Sequence, residues 1–379
     1  MNPQILHLQK VAGIAGSETY LLSLLPGLRQ RGWDVRMLML HSDEPGAFEF
    51  SDELDRRRVP VDAIRLRADV DPLAFIQLIL YLARRRPTLL HTHLVHADVY
   101  GQLAGTVAQV PLRFSTKHGF NEFRESRGFA LADRLIAGLA DVHIAVSRGL
   151  ARYLAETEGF AERGFQIVHY GISPDEPPRR YDGPARLLCV GRLIPIKGHL
   201  VLLRAFAAAL REVPELELRV AGRGPLHPAL RSLVAELGLQ SHVRMLGQVS
   251  PIQKAIEDVG VVVVPSLGEG FGMVALEAME RARPVIASAV GGLIDIVRDG
   301  ENGILVPAGE IEPLAEAIVA LVSEPALAAR LGAAGREHAL RWFQDERSLD
   351  RTEILYRSLL EANKWPLRSG PDGSSGTSV

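Results

Sequence analysis

Short apolar runs of strand length alternate with longer amphipathic segments along most of this chain, and that alternation constrains the fold more than any other property of the sequence. Ile5–Leu8 reads as a buried strand, a glycine-bearing turn follows in VAGIAGSE, and apolar residues recur at helical spacing from Thr19 to about Arg31. Val35–Leu40 predicts the next strand, followed by a helix near Leu73–Arg85, a strand at Leu89–His91 and a helix from about Asp98. Repetition of strand, helix and strand means parallel strands joined by crossover helices, so the chain is an α/β protein.

The rhythm stops at residues 171–184, GISPDEPPRRYDGP, where four prolines and alternating charges support neither helix nor strand. It then restarts with strands at Arg186–Val190 and Glu217–Ala221 and helices at about Leu200–Glu212 and Pro228–Leu237. Further strands are predicted near Val243–Leu246, Val259–Val264 and Pro284–Ala287. A chain of 379 residues exceeds the size at which one hydrophobic core keeps growing. Two Rossmann-like parallel-sheet domains are therefore expected, at 1–172 and 185–345, joined by a linker at 173–184. From Ile311 to about Asn363 the pattern is mostly helical, with Trp342, Phe343, Leu355 and Tyr356 as apolar anchors. The helix at 346–365 is expected to cross back over both domains, and the Gly- and Ser-rich 366–379 to form a flexible tail.

Composition narrows the function classes. Forty-three basic and 45 acidic side chains leave a net charge of -2, without the positive field that nucleic-acid binders use, so nucleic acid is not an expected partner. The single cysteine, Cys189, sits in an apolar run and has no intramolecular partner for a disulfide, which points to a packing role in a reducing compartment. No basic start with a long apolar run opens the chain, and no run of about 18 apolar residues follows, so a cytoplasmic protein is expected. The arginine runs Arg56–Arg58 and Arg84–Arg86 leave open a peripheral contact of the N-terminal domain with the inner face of a membrane; each run also fits a solvated helix end.

In open parallel sheets, ligands bind beyond the carboxyl ends of the strands. Four such segments occur in the second half. In VGRLIPIKG, Arg192 and Lys197 follow a strand between Gly191 and Gly198, and a forked guanidinium with a point-charge ammonium suits a diphosphate. AGRGP, with Gly222, Gly224 and Pro225, permits close approach of a base or phosphate to the backbone. In LGQVS, backbone near Gln248 and Val249 can meet a nucleobase edge. The most informative is VVVVPSLGEGFGMVALEAMERARPV, in which a buried strand runs through a glycine-rich loop into a helix starting near Gly272. Free amides and the positive end of the helix dipole at such a start favour a phosphate. Glu269 in the loop and Glu277 in the helix, seven residues between them, can flank one ligand and accept hydroxyl hydrogen bonds from a ribose or hexose. Taken singly, Glu269 also fits a carboxylate balancing the helix N-terminus and Glu277 a solvated helix face.

These segments, with the following RPVIAS, VGG and NGILVP, resemble the donor domain of retaining GT-B glycosyltransferases of the large GT4 family, also called glycosyltransferase group 1. The resemblance covers the chain apart from its tail. It implies that Arg192 and Lys197 hold the diphosphate, Glu269 the hydroxyls of the transferred sugar and Glu277 the ribose. Backbone at Gly270, Phe271, Gly272 and Met273 would meet sugar and phosphate. The loop Gly13–Glu18 is similar to the family's first glycine-rich loop, often GGxE, although Gly16-Ser17 precedes Glu18 here; Gly16 would approach the diphosphate, and Ser17 and Glu18 the acceptor side. HTHLVHAD brings His91, His93 and His96 to a strand end, where zinc is a consideration. No carboxylate or cysteine pattern completes such a site, and the resemblance assigns His93 and His96 to the acceptor cleft, so no metal is expected. His118 in STKHGF corresponds to the histidine that points at the transferred sugar.

The expected activity is that of a metal-independent hexosyltransferase. It would move a sugar from a UDP- or GDP-linked donor to a glycan or lipid-linked acceptor with retention of configuration, as in polysaccharide biosynthesis. His118, Arg192, Lys197 and Glu269 are the candidate catalytic residues. A sugar-nucleotide 2-epimerase of the same fold, or a non-catalytic nucleotide-sugar-binding protein, shares these features and is the alternative.

Overall fold

The computed structural model describes residues 3–120, 134–136, 138–158, 164–173, 177–179, 181 and 183–365. The 366–379 tail and part of the 173–184 linker lie outside the described residues; the described part of the linker contains neither helix nor strand.

The first half builds a seven-stranded sheet from β1 (Gln4–Lys10), β2 (Asp34–His41), β3 (Val61–Arg65), β4 (Leu89–His93), β5 (Leu112–Lys117), β6 (Val142–Ala145) and β7 (Phe165–Ile167). Its order is β3-β2-β1-β4-β5-β6-β7, with every neighbouring pair parallel. The second half builds a six-stranded sheet from β8 (Arg186–Val190), β9 (Glu217–Ala221), β10 (Val243–Gly247), β11 (Val261–Val264), β12 (Val285–Ser288) and β13 (Ile304–Val306). Its order is β10-β9-β8-β11-β12-β13, again all parallel. Chain order reverses between β1 and β4 in one sheet and between β8 and β11 in the other, which are the switch points where such sheets open a crevice. Helices cover both faces, so the central strands are apolar almost throughout: Ile5, Leu6, Leu8 and Val261–Val264 are all buried.

Local chemistry sets the helix starts. Asp71 caps the helix Pro72–Arg85 by accepting from the amides of Leu73 (3.0 Å) and Ala74 (3.1 Å), and Pro72 occupies the first turn. The helix expected from Asp98 begins earlier and spans Leu94–Val107, because Asp98 does not act as a cap. Its carboxylate points inward to Lys117 Nζ at 2.7 Å and to the Thr92 hydroxyl, with both members of the ion pair 1% exposed. The helix expected to reach Glu212 spans His199–Ala209. Cys189 is buried, and burial pushes its thiol up to about 12, in keeping with a packing role.

The C-terminal region divides into helices Ile311–Ser323, Pro325–Trp342 and Asp345–Ala362. The second packs on the helix Met273–Glu280 in the second half, and the third on the helix Gly16–Gln30 in the first. Between them the chain is pinned to the end of the first half: Ile172 N donates to Phe343 O (2.8 Å) and Asp345 N to Ile172 O (3.1 Å). Tyr356 is thereby buried against His91, Phe114 and Trp33 of the first half.

Candidate functional site

At the switch point of the second sheet, the loops after β8 and β11 close on each other. Lys197 ends a short turn after β8, and its Nζ lies 2.6 Å from Glu269 Oε2; the Ser266 hydroxyl donates to the same oxygen at 3.0 Å. The partners are joined although 72 residues separate them in sequence, because Gly198, at φ +68°, runs against the carbonyl of Pro265, where no side chain fits. The loops after β8 and β9 nest in the same way. Gly224, at φ +159°, would place a Cβ 2.5 Å from the Leu193 carbonyl oxygen, and Gly222 lies as tightly on Gly191. Pro225 follows that turn, and Gly222 N donates to the carbonyl of Gly247, beside Gln248 and Val249. The glycine-rich segments read separately in the sequence thus pack against one another, and Arg192 is exposed in the first of them.

Gly272, at φ +109°, ends the loop after β11 and starts the helix Met273–Glu280 without a side-chain cap. Ala275 N and Leu276 N donate to Gly272 O at 3.0 and 3.2 Å, and the amides of Met273 and Val274, at the positive end of the helix dipole, have no intrahelical acceptor. Glu277 is half-buried on this helix rather than on a solvated face, and its carboxylate forms no ion pair or hydrogen bond among the described residues. Burial, with Glu280 as a like-charged neighbour, pushes its carboxyl up to about 7.

The first sheet presents its switch point from the opposite side. Gly16 lies over Met273, a Cβ at Gly16 falling 3.7 Å from Met273 Cγ. The carbonyl of His118 meets Gly270 so closely that only glycine fits there, and Ser147 Oγ donates to Gly270 O at 2.6 Å. Phe271 packs edge-on against Tyr170 with ring centroids 5.1 Å apart. Gly16, His118, Gly270, Phe271, Gly272 and Met273 therefore come together at one cleft.

Other sequence candidates, and the ring of His118 itself, are engaged by partners within the first half. Glu18 is buried, accepts from Ala15 N and Ser17 Oγ at 3.0 Å each and from Gln9 Nε2, and has its carboxyl raised by burial. Glu18 and Ser17 thus close the start of their own helix. His96 is half-exposed, 3.4 Å from Asp69 at the rim. His118 has both ring nitrogens engaged: Nε2 with His93 Nδ1 at 2.9 Å and Nδ1 with the Tyr170 hydroxyl. Burial lowers it to about 3, so it is neutral at physiological pH. Sequence reasoning did not single out His7, Tyr170 or Tyr356 as part of this region. The available signal was His7 and Gln9 in the run LHLQK, polar residues in a strand covered on both faces.

Two Rossmann-like sheets whose switch points face each other across such a cleft define the GT-B class of fold. A model described as glycosyl transferases group 1 matches residues 184–324, and one described as glycosyltransferase family 4 matches residues 14–176. The D-inositol 3-phosphate glycosyltransferase of Streptomyces scabiei is 31% identical over 317 residues, which cover 74% of this chain and 70% of that protein. The chain belongs to the group 1, family 4 glycosyltransferases. The enzyme of the same name from Streptomyces avermitilis is 34% identical over 264 residues, covering 63% of this chain and 55% of the relative. The chain spans less than two thirds of several curated relatives that it matches. Among solved structures, Anabaena Alr3699/HepE in complex with UDP and glucose superposes with a TM-score of 0.81 at 19% identity, over 94% of this chain and 100% of that chain. Sucrose-phosphate synthase from Thermosynechococcus elongatus superposes with a TM-score of 0.78 at 26% identity, over 95% of this chain and 100% of that chain.

Proposed function

We propose that this glycosyltransferase transfers a hexose from a UDP- or GDP-linked donor to a glycan or lipid-linked acceptor with retention of anomeric configuration. The observation that carries the reading is the contact of Lys197 with Glu269, which joins the loop after β8, where Arg192 lies exposed, to the glycine-rich loop that leads into the uncapped helix start at Gly272. Breaking the bond from anomeric carbon to phosphate builds negative charge on the departing diphosphate. Fixed cations and first-turn amides at that position stabilise the transition state more than the ground state. Lys197 and Glu269 neutralise one another without donor. When the diphosphate takes up Lys197, Glu269 is released to accept sugar hydroxyls, while Glu277 accepts those of the ribose. With the phosphates neutralised by these groups, the reaction needs no metal, and the leaving phosphate takes the acceptor's proton. For His118 to hydrogen-bond the sugar, its ring has to exchange one of its two internal partners for a hydroxyl.

The helix Pro72–Arg85 supports a lipid-linked acceptor. Its outer face exposes Leu73, Ile76 and Leu80 at 50–53%, Val70 precedes it at the rim at 82%, and Arg84–Arg86 extend its far end. A surface helix apolar on its outer as well as its inner face suits an anionic membrane interface. No single helix among the described residues is long and apolar enough to cross a membrane; the contact we propose, on the exposed apolar residues and arginines of this helix, is peripheral and at the inner face.

The purified protein is to be screened by calorimetry against UDP-, GDP- and ADP-sugars, then assayed for nucleotide diphosphate release with and without lipid-linked acceptors. Acceptor-dependent release with NMR evidence for an unchanged anomeric configuration is expected. Conversion of the donor into another nucleotide sugar without release would identify an epimerase, and binding without turnover a non-catalytic protein.

A further inference from the structure

A chain of buried side chains runs behind the cleft that the donor chemistry above does not use. It starts at Thr116 at the end of β5 and passes through His91, Tyr356, His7 and His93 to His118 and Tyr170. Thr116 Oγ1 lies 2.6 Å from His91 Nε2, and His91 Nδ1 lies 2.5 Å from the Tyr356 hydroxyl. That hydroxyl is 3.2 Å from His7 Nε2. His7 Nδ1 is 2.9 Å from His93 Nε2, His93 Nδ1 is 2.9 Å from His118 Nε2, and His118 Nδ1 meets Tyr170. The sheet register explains the assembly: His7 on β1 is directly opposite His91 on β4, and His93 lies two residues further along the same face. The helix Asp345–Ala362 then lays Tyr356 over that face.

A neutral imidazole has one donor nitrogen and one acceptor nitrogen. In an unbranched chain of such rings the choice at one ring dictates the choice at the next. If Tyr170 donates to His118, every ring carries its proton on Nε2 and the order runs to Thr116; if Thr116 donates to His91, every ring carries it on Nδ1 and the order is reversed. Across the ring-to-ring links His7–His93–His118 no mixed order keeps the bonds; at Tyr356, whose oxygen can accept from both His91 and His7, a mixed order would leave the buried hydroxyl proton without a partner in the chain. Burial holds His7, His91, His93 and His118 below their ordinary values, so a doubly protonated ring does not interrupt the chain near neutrality.

Donor atoms of His7, His91 and His93 lie within 4.8 Å of one another, the arrangement from which a metal centre would be built. Zinc bonds of about 2.0–2.1 Å place tetrahedral ligand atoms about 3.4 Å apart with their lone pairs converging on one point. The 2.9 Å approach of His7 Nδ1 to His93 Nε2 is that of a ring N–H donating to a ring nitrogen, which favours the proton-ordered chain.

We propose that His7, His91, His93 and Tyr356 are positioning residues that act as one unit to set which nitrogen of His118 carries its proton and how its ring stands beside the transferred sugar. This rests on the reading of His118 as the sugar-side histidine. The test is 15N NMR of histidine-labelled full-length protein, wild type against Tyr356→Phe, with steady-state kinetics on the same samples. Each of the four imidazoles is expected to show one dominant tautomer in the wild type. Loss of the hydroxyl should shift His7, His93 and His118 towards mixed tautomers and lower kcat about tenfold, the scale of one lost hydrogen bond, with donor KM unchanged. His93→Gln, which keeps a donor and an acceptor, should retain more activity than His93→Leu and serves if Tyr356→Phe does not fold. Unchanged His118 signals, altered signals with unchanged kcat, or stoichiometric zinc whose removal moves the same signals would each overturn the proposal. Unaltered turnover in His118→Ala would instead remove the sugar-side reading, whereas the tautomer coupling is read separately by NMR.

Discussion

Glu277 makes donor affinity depend on pH in a direction that can be worked out beforehand. Its carboxyl is raised from 4.5 to about 7 by burial, so close to half of the molecules carry it protonated at neutral pH without donor. A ribose donates its hydroxyls to the ionised form, so binding must release that proton. Roughly one molecule in ten is ionised at pH 6 and nine in ten at pH 8, which predicts a donor Kd about tenfold weaker at pH 6, or about 1.4 kcal/mol. Stability without donor has the opposite dependence. The native state holds this proton more tightly than the unfolded chain, so stability falls as pH rises from about 4.5 to about 7 and stays level above, with an upper bound of about 3 kcal/mol at 1.36 kcal/mol per unit. Glu277→Gln should therefore raise Tm at pH 7.5 in donor-free protein, and should flatten the pH dependence of binding while weakening it about a hundredfold, the scale of two charge-assisted hydrogen bonds. Calorimetry in buffers of different ionisation enthalpy counts the released proton directly. A wild-type Kd that stays constant from pH 6 to 8, without proton release, would refute the reasoning.

Lys197→Ala should lower turnover by about a hundredfold or more without loss of fold, measured as nucleotide release, and near-normal kinetics would argue against its place at the diphosphate. Asp98→Ala removes the carboxylate 2.7 Å from the buried Lys117 of β5 and should cost about 3–5 kcal/mol in chemical denaturation, with donor binding kept in the surviving native protein. Replacing Leu73, Ile76 and Leu80 together by serine should abolish co-flotation with anionic vesicles while leaving donor affinity unchanged; equal flotation would dismiss that helix as the membrane contact.

The sequence made legible the features that physics writes locally. The strands Arg186–Val190 and Glu217–Ala221 are legible to the residue, because the first is an apolar run after one arginine, the second alternates polar and apolar residues, and each ends at a glycine. The glycine segments around Gly198, Gly222 and Gly272 are legible because positive φ and close contact admit little else. What depends on pairing across long sequence distance was less visible. Asp98 looked like a helix start because its carboxylate gives no local sign of a buried partner 19 residues away. Glu18 reads as a cleft residue until its hydrogen bond to Ala15 is seen, and Tyr356 reads only as an apolar anchor until the last helix returns to cover His7 and His91. The Lys197–Glu269 contact, likewise, exists only once two loops of one sheet are side by side.

The pinning of Ile172 to Phe343 and Asp345 has a mechanical consequence. The polypeptide passes between its halves twice, once after Ile172 and once after Trp342, and both crossings meet at this seam. Two connections fastened side by side behave like a door on a pair of knuckles: swinging about their shared line is cheap, whereas sliding or twisting would tear the seam. A swing about that line would part Gly16 from Met273 while the seam itself stayed still.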